Sequence, residues 1–363
     1  MTLDELPTPC LVLDRRVLAR NIESMGSVAA RLGVALRPHM KTAKSIEVLR
    51  MLVPAPEHAA ITVSTLAEAE YFAGHGVRDM IYAVGITPQK LDRVAAINAG
   101  VADLKVITDE PAVAEAIAAH PGKLRAMVEV DCGEHRGGMA AGDERLVAVA
   151  SRLGLRLAGV MTHAGHSYAG RSEAEMAEIA EMERMAIVGA AERLRAAGMT
   201  APIVSMGSSP TVRHARGLGG VSEVRAGVYM FGDLFQAGIG THGIADIAMT
   251  VLASVVGRRA EEGRFVIDAG GLALSKDRST GAGPVDYGFG LVLGTDGRRL
   301  GVVTTAYQEH GVVVADAGVE VVVGEKVRVV PNHTCMTAAA HERYFVTDGT
   351  DEVVGVWGRV NGW

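Results

Sequence analysis

The sequence predicts an α/β protein in which a (β/α)8 barrel of the TIM type is joined to a C-terminal antiparallel β domain. Short runs rich in Val and Ile alternate with stretches of helical periodicity through the first two thirds of the chain. Eight such repeats close most economically into a parallel barrel. After about residue 248 the apolar runs are separated by Gly and Asp turns without long helical patterns, which predicts an antiparallel β domain.

The predicted barrel strands are short apolar segments, each followed by a helical stretch. They are residues 35–41, 59–65, 79–85, 104–108, 124–131, 155–163, 202–207 and 223–230. Between the sixth and seventh strands, apolar residues recur near helical spacing at Met176, Ile179, Met182, Ala186 and Ile187. An open doubly wound sheet is the alternative, and the lack of a Gly-x-Gly-x-x-Gly turn after the first strand counts against it.

The chain length and the change in apolar pattern near residue 248 indicate two domains. At 363 residues the chain exceeds the size at which a single hydrophobic core stops growing. We expect the barrel to span residues 15–247 and the β domain to span residues 248–363 together with residues 1–14. The N-terminal segment is included because residues 9–14 form a ninth strand ahead of the barrel. Such a strand is easiest to place in the C-terminal sheet.

Composition excludes several classes of function. The net charge of −6 and an aromatic content of only 4% argue against a nucleic-acid surface. The acidic N-terminus lacks the features of a signal peptide, and no apolar run reaches membrane-spanning length. We therefore expect a cytoplasmic protein that binds a small molecule, with neither nucleic acid nor membrane as a partner.

A lysine closes the first barrel strand, at the face where barrels carry their catalytic residues. Because strand side chains alternate, Arg37, His39 and Lys41 share one face. A lysine becomes a Schiff-base nucleophile when burial or a neighbouring cation favours its neutral form. From spacing alone, a surface lysine that opens a helix is the simpler interpretation.

Three later segments place polar groups at strand ends. Residues 162–168 carry two histidines, two hydroxyls and a phenol, which is too polar for a core and suits a ligand. Residues 205–211 combine a glycine with a helix start that donates amides to an anion. Residues 225–229 supply a second set of amides, as in the phosphate sites of many barrels. A hydrogen-bonded loop or an ordinary helix cap explains any one of them alone.

Five motifs in this order resemble those of the D-serine dehydratase and D-threonine aldolase family. These are fold-type III pyridoxal-phosphate enzymes whose barrel is related to that of alanine racemase. The motifs are Arg-Pro-His-Met-Lys-Thr around Lys41, Thr-His-Ala-Gly-His-Ser-Tyr at 162–168, Gly-Ser-Ser-Pro-Thr at 207–211, Glu-Val-Arg-Ala-Gly-Val-Tyr at 223–229 and Pro-Asn-His-Thr-Cys at 331–335. The resemblance covers nearly the whole chain, and five ordered motifs are far more specific than one.

The resemblance implies a pyridoxal 5′-phosphate site. In it, Lys41 is the catalytic residue that forms the Schiff base, and Tyr168 approaches the pyridine nitrogen. The other implied cofactor-binding residues are Arg136, His163, Ser208, Ser209, Gly227, Val228 and Tyr229. The resemblance also implies a head-to-tail homodimer in which the β domain of one subunit faces the barrel of the other.

His333 and Cys335 form a candidate metal pair. They are separated by one residue, so in an extended segment both side chains point the same way and can share an ion. Imidazole and thiolate suit Zn²⁺, whereas a carboxylate in place of the thiolate would suit Mg²⁺ or Mn²⁺. A buried cysteine beside a hydrogen-bonded histidine is the simpler interpretation of the pair alone. Beside the lysine motif we expect a metal, with Zn²⁺ first and Mn²⁺ or Mg²⁺ as alternatives.

Together these sites predict a lyase that uses pyridoxal phosphate and zinc on a β-hydroxy-D-amino acid. If Lys41 removes the Cα proton while zinc draws off the β-hydroxyl, the products are a 2-oxo acid and ammonia. If a base removes the hydroxyl proton instead, the Cα–Cβ bond breaks and an aldolase results. The resemblance implies His-x-Cys in dehydratases and His-x-Asp in aldolases, together with a further histidine after Tyr168 in aldolases. Cys335 therefore favours the dehydratase.

Other readings of the substrate and the activity stay open at this point. D-serine, D-threonine and D-threo-3-hydroxyaspartate all carry the required hydroxyl. A racemase would need a second base on Cα, and the segment after residue 248 offers no clear one. A non-catalytic protein that holds pyridoxal phosphate is a further alternative, against which the second domain counts.

Overall fold

The structure is a computed structural model that describes residues 1–363. The chain forms two compact units. The first, which we call the β unit, comprises Met1–Glu23 and Val228–Arg359. The second, which we call the barrel unit, comprises Ser24–Gly227 and Val360–Trp363.

The strands fall into two sheets, one in each unit. In chain order they are β1 (Cys10–Asp14), β2 (Ala35–Pro38), β3 (Ala60–Val63), β4 (Asp79–Gly85), β5 (Asp103–Thr108), β6 (Arg125–Asp131), β7 (Met139–Ala140), β8 (Leu157–Thr162), β9 (Ile203–Met206), β10 (Glu223–Ala226), β11 (Met249–Arg259), β12 (Arg264–Ile267), β13 (Leu291–Gly294), β14 (Arg299–Ala306), β15 (Gly311–Ala315), β16 (Lys326–Val330), β17 (Arg343–Thr347) and β18 (Val353–Gly358).

The α-helices cluster in the first two thirds of the chain. They are α1 (Arg15–Leu32), α2 (Ile46–Leu52), α3 (Leu66–Gly74), α4 (Leu91–Asn98), α5 (Pro111–Ala119), α6 (Glu144–Leu153), α7 (Glu173–Ala196), α8 (Ser209–His214), α9 (Leu234–Gly238), α10 (Gly271–Leu274) and α11 (Thr334–Ala338). None of these helices combines the length and the apolar character that a membrane crossing needs.

The barrel unit contains the predicted (β/α)8 barrel, which the structure confirms. Its parallel strands follow the order β2-β10-β9-β8-β6-β5-β4-β3, and a parallel bridge between His39 and Thr62 joins the two end strands. The first strand is shorter than predicted and ends at Pro38. The residues that follow this strand form a turn, in which the amide of Lys44 donates to the carbonyl of Met40 at 2.7 Å. The eighth strand likewise ends early, at Ala226.

The β unit contains the predicted antiparallel sheet, which the structure also confirms. The strand order is β12-β15-β14-β13-β16-β11-β1-β17-β18, and an additional pairing of β12 with β11 closes part of the sheet on itself. β1 is an interior strand of this sheet, antiparallel to β11 and parallel to β17. The N-terminal strand therefore supplies backbone hydrogen bonds to both of its neighbours.

Charged side chains cross the inside of the barrel, where branched apolar residues are usual. Arg37 on β2 donates to Glu223 on β10 at 2.8 Å and to both carboxylate oxygens of Asp79 on β4 at 2.9 and 3.0 Å. Lys105 on β5 donates to the same Asp79 at 2.8 Å, and Ser205 on β9 donates to Glu223 at 2.6 Å. Arg37 and Lys105 are each only 3% exposed. Every buried charge in this layer therefore has a partner on another strand.

We expect the layer to be sensitive to the loss of one partner. Arg37→Met leaves Glu223 buried without its cation and should lower the free energy of unfolding by about 3–5 kcal/mol. The matched control is Arg152→Met, which removes an exposed ion pair with Glu115 and should cost less than about 1 kcal/mol. Urea denaturation followed by circular dichroism measures both. Equal losses in the two variants would contradict this account of the layer.

Candidate active site

Lys41 lies just beyond the carboxyl end of β2, with its side chain exposed. The amide of Lys41 donates to Nδ1 of His39 at 3.4 Å. The turn that follows is held by an ion pair at 3.3 Å between Lys44 and Glu68, whose side chain is fully buried. A rigid turn therefore presents the amine at the mouth of the barrel.

Two histidines stand near the amine in their neutral form. Burial, and then the cation of Lys41, hold the pKa of His39 well below its usual range. The same two causes lower the pKa of His163 to about 3. His163 donates from Nδ1 to the carbonyl of Gly207 at 3.0 Å, so its Nε2 carries a lone pair. The two rings beside the amine are thus neutral and add no further positive charge there.

Arg225 provides a buried positive charge at the same end of the barrel. Its guanidinium donates to Ser205 Oγ at 2.7 Å and to the carbonyl of Thr162, the last residue of β8. Burial lowers the pKa of Arg225 to about 10, although the carboxylates of Glu223 and Glu183 oppose that effect. The motif at 223–229 pointed to this segment for its amides, whereas its arginine contributes a fixed charge that spacing did not reveal.

The loops after β8 and β9 meet through hydroxyl groups. Ser167 and Ser208 share a hydrogen bond between their Oγ atoms at 3.0 Å. Ser208 caps α8, because its Oγ accepts from the amide of Thr211 at 3.2 Å. Ser209 is the first residue of that helix. Two of the motifs that the sequence singled out therefore contact each other directly.

Two glycines allow backbone segments to approach each other closely. Gly207 has a φ of +125°, and a Cβ there would lie 2.8 Å from the Arg225 carbonyl oxygen. A Cβ on Gly227, which follows β10, would lie 2.7 Å from the His39 carbonyl oxygen. Any larger residue would push these loops apart, so the lysine segment and the two loops depend on glycine for their spacing.

Arg136 lies on the segment that follows β6. It is exposed and pairs with Glu134 at 3.3 Å. Glu134 also accepts from the amide of Gly165 at 3.0 Å. Tyr168 belongs to the 3-10 turn that Gly165 begins. Glu134 therefore links the predicted arginine to the turn that carries the predicted tyrosine.

The predicted residues of the barrel unit all follow the carboxyl ends of its strands. They are Lys41, Arg136, His163, Tyr168, Ser208, Ser209 and Gly227. The other four predicted residues, Val228, Tyr229, His333 and Cys335, belong to the β unit.

In the β unit, the predicted phosphate residues and the predicted metal pair lie on two segments that meet. Val228 and Tyr229 form a buried 3-10 turn. Shortly after this turn, Gly232 accepts from the Thr334 hydroxyl at 2.5 Å, and Asp233 accepts from the Thr334 amide at 3.2 Å. Thr334 is the residue between the two predicted ligands.

The extended segment predicted for the metal pair is not found in the structure. His333 has an extended backbone, but Cys335 lies in the first turn of α11, because the chain enters the helix at Thr334. The two side chains still come within hydrogen-bonding reach of each other. His333 donates from Nδ1 to Asp277 at 3.3 Å. Nothing in the sequence links Asp277 to a residue 56 positions away.

Charge stabilises the protonated form of His333. Burial works against the imidazolium, but the carboxylate of Asp277 and the thiol of Cys335 outweigh burial and raise the pKa of His333. The same hydrogen bond lowers the pKa of Asp277. No group of three or more His, Cys, Asp or Glu side chains is arranged to hold a metal ion. The pair therefore offers two donors, His333 and Cys335, and Asp277 is hydrogen-bonded to the histidine.

Glu183 is a site residue that the sequence analysis missed. It is fully buried in α7, and its Oε1 accepts from the amide of Gly207 at 2.9 Å. A signal was present, because Glu183 lies between Ala180 and Ile187 on the buried stripe of the helix. The predicted stripe ran through Met182 instead, which is 46% exposed.

Two family models match the chain. The model described as the alanine racemase N-terminal domain matches residues 13–234, and the putative serine dehydratase domain matches residues 248–347. The first covers the barrel strands. The second covers the antiparallel sheet from β11 to β17.

Relatives match over nearly the whole length. D-threo-3-hydroxyaspartate dehydratase of Delftia sp. (strain HT23) is 41% identical over 100% of this chain and 99% of its own. D-serine dehydratase of Dictyostelium discoideum is 28% identical over 97% and 96%. The 3-hydroxy-D-aspartate aldolase of Paracoccus denitrificans (strain Pd 1222) is 30% identical over 98% and 92%.

Solved structures agree with these matches. D-threo-3-hydroxyaspartate dehydratase from Delftia sp. HT23 superposes with a TM-score of 0.95 at 40% identity and full coverage of both chains. A cysteine-to-alanine mutant of that dehydratase, in the metal-free form, gives the same values. With both domain models matched and a relative 41% identical throughout, the chain belongs to the D-serine dehydratase and D-threonine aldolase family of fold-type III pyridoxal-phosphate enzymes.

Proposed function

We propose that this enzyme is a dehydratase of β-hydroxy-D-amino acids that acts on D-threo-3-hydroxyaspartate and releases oxaloacetate and ammonia. The observation that carries the proposal is the 41% identity, over the whole chain, to a protein named for that reaction. The competing reaction is retro-aldol cleavage to glycine and glyoxylate, since a 3-hydroxy-D-aspartate aldolase is 30% identical. Cys335 favours the dehydratase over the aldolase.

The residues at the mouth of the barrel fit pyridoxal phosphate. Lys41 offers the primary amine that such a cofactor needs. The Gly-Ser-Ser turn at 207–209 offers backbone amides to a phosphate, and His166 has a buried Nδ1 without a hydrogen-bond partner in the protein. A buried polar atom of this kind calls for a ligand or water partner. We assign the cofactor to Lys41, His163, Tyr168, Ser208 and Ser209, with Arg136, Gly227, Val228 and Tyr229 completing its surroundings.

The reaction needs a base at Cα and a way to expel the β-hydroxyl. When bound, pyridoxal phosphate supplies an electron sink for the bond that breaks at Cα. We assign removal of the Cα proton to Nζ of Lys41. His163, neutral and fixed with its proton on Nδ1, presents Nε2 as a hydrogen-bond acceptor. The neutral state of His39 and His163 avoids adding further positive charge beside that amine.

We assign Zn²⁺ to His333 and Cys335. The donor set fits, because imidazole and thiol lie within reach of each other and Asp277 engages Nδ1 of the histidine, which leaves Nε2 for a metal. A thiolate favours Zn²⁺ over Mn²⁺ or Mg²⁺. A relative's structure described as a cysteine-to-alanine mutant in the metal-free form also supports the assignment. Zinc supplies a Lewis acid for the departing hydroxide.

The remaining expectations also belong to this proposal. We propose a homodimer and a cytoplasmic location, in line with the sequence analysis. Light scattering coupled to size-exclusion chromatography measures the first, and fractionation of the source cells measures the second.

Product analysis separates the two reactions. With D-threo-3-hydroxyaspartate we expect oxaloacetate and ammonia in equal amounts and little glycine. D-serine and D-threonine should react more slowly, because the dehydratase named for the aspartate derivative is more similar to this chain than those named for D-serine. Enzyme-coupled assays of the 2-oxo acid and amino-acid chromatography measure the products. Glycine and glyoxylate as the main products would establish an aldolase.

Removing the amine should abolish both turnover and the covalent link to the cofactor. For Lys41→Ala we expect activity to fall at least about a thousandfold, because the variant loses its base and its attachment point together. Lys123→Ala, which removes an exposed lysine of the same barrel, is the control and should behave as wild type. Borohydride reduction followed by mass spectrometry locates the modified lysine. Labelling of a different lysine would rule Lys41 out.

Zinc binding should depend on Asp277 as well as on the two donors. Cys335→Ala should lose the metal, and Asp277→Ala should weaken its binding about 10- to 100-fold, because the histidine loses the carboxylate that orients it. Cys132→Ala is the control thiol. Calorimetric zinc titration of the full-length protein gives the affinities directly. Unchanged zinc affinity in Cys335→Ala would remove this residue from the metal site.

A further inference from the structure

Glu183 is a fully buried carboxylate in the middle of α7. Its neighbours on the buried face of the helix are Ala180 and Ile187, so an apolar residue would be the ordinary choice at this position. Burying a carboxyl group is unfavourable unless its oxygens are hydrogen-bonded. The contacts of Glu183 therefore indicate what the residue does.

The carboxylate holds the loop after β9, which carries Ser208 and Ser209 of the proposed cofactor site. Its Oε1 accepts from the amide of Gly207, the residue after β9, at 2.9 Å. The amide of Ala164, the second residue after β8, and the hydroxyl of Thr211 in α8 lie near the carboxylate. Oε2 of Glu183 is buried and has no hydrogen-bond partner. The side chain thus fixes the end of β9 to α7 through the hydrogen bond from Gly207.

His163 lies inside this arrangement. It immediately precedes Ala164, and its Nδ1 donates to the carbonyl of Gly207 at 3.0 Å. Gly207 is therefore bound at both of its backbone polar groups, by Glu183 at the amide and by His163 at the carbonyl. Its φ of +125° and the 2.8 Å approach of a Cβ to the Arg225 carbonyl oxygen leave it little freedom to shift.

We propose that Glu183 is a positioning residue that fixes the proton of His163 on Nδ1, by holding the Gly207 carbonyl in place, and that it thereby orders the Gly-Ser-Ser turn. A carbonyl can only accept, so its fixed position selects the Nδ1-protonated tautomer and keeps Nε2 as the acceptor that faces the site. The effect on cofactor binding rests on the proposed function. The tautomer of His163 does not require the cofactor.

The surroundings of Glu183 suit a hydrogen-bond acceptor better than a permanent charge. Burial raises the pKa of Glu183 to about 7, while the bond from the Gly207 amide, the nearby Thr211 hydroxyl and the cation of Arg225 favour the carboxylate. A neutral amide of the same shape can therefore replace the side chain and still accept from Gly207. This makes Glu183→Gln the conservative variant and Glu183→Ala the deletion.

The test compares these two variants in the full-length protein with Glu178→Ala and Glu178→Gln, the same changes at an exposed position of the same helix. Nitrogen-15 NMR of histidine-labelled protein reports the His163 tautomer, with His163→Gln identifying the signal. Fluorescence titration gives the dissociation constant of pyridoxal phosphate, and circular dichroism reports folding.

We expect Glu183→Ala to lose the single Nδ1-protonated signal and to bind pyridoxal phosphate about 10- to 100-fold more weakly, since a buried amide is left without its acceptor. Glu183→Gln should keep the tautomer and bind within about threefold of wild type, because its amide oxygen replaces Oε1. Both Glu178 variants should match wild type.

An unchanged tautomer and an unchanged cofactor affinity in folded Glu183→Ala would overturn the inference. If that variant does not fold, Glu183→Gln decides, and a folded Gln variant that has lost the tautomer overturns it equally. Failure of the wild-type protein to bind pyridoxal phosphate would refute the proposed function instead, while the NMR comparison would still test the role of Glu183.

Discussion

Pairing of buried charge is the constraint on which the rest of the barrel depends. Arg37 lies between Glu223 and Asp79, and Glu223 accepts in turn from Ser205. Ser205 accepts from Arg225, which reaches the end of β8. A continuous chain of hydrogen bonds therefore runs from the inside of the barrel to its carboxyl end. Loss of Arg37 leaves Glu223 without its cation in a medium that solvates charge poorly.

The same constraint sets the electrostatics of the candidate active site. Arg225 holds a positive charge below a mouth that also carries the Lys41 amine, and burial keeps His39 and His163 neutral beside them. Glu183 is the carboxyl group that faces this charge from α7. Together these groups give the site one exposed amine and two neutral imidazoles, and side chains hold the loops around them. The proton of His163 is therefore fixed on Nδ1.

In the β unit, the main polar contact is between a carboxylate and a histidine that it orients. Asp277 engages Nδ1 of His333, and Thr334 ties the segment between the two donors to Gly232 and Asp233. These contacts join parts of the unit that are distant in sequence. They place His333 just before α11 and Cys335 in its first turn, because the helix begins between the two donors.

The sequence by itself determined the fold class, because a period of two or of 3.6 in apolar residues is a local property that each segment carries. It also singled out Lys41 and the His333 and Cys335 pair, because their neighbours in the chain form motifs. Only the tertiary structure decided that Glu183 meets Gly207 and that Asp277 meets His333. Those partners are brought together by strand and helix packing, and no spacing along the chain encodes a hydrogen bond between such distant residues.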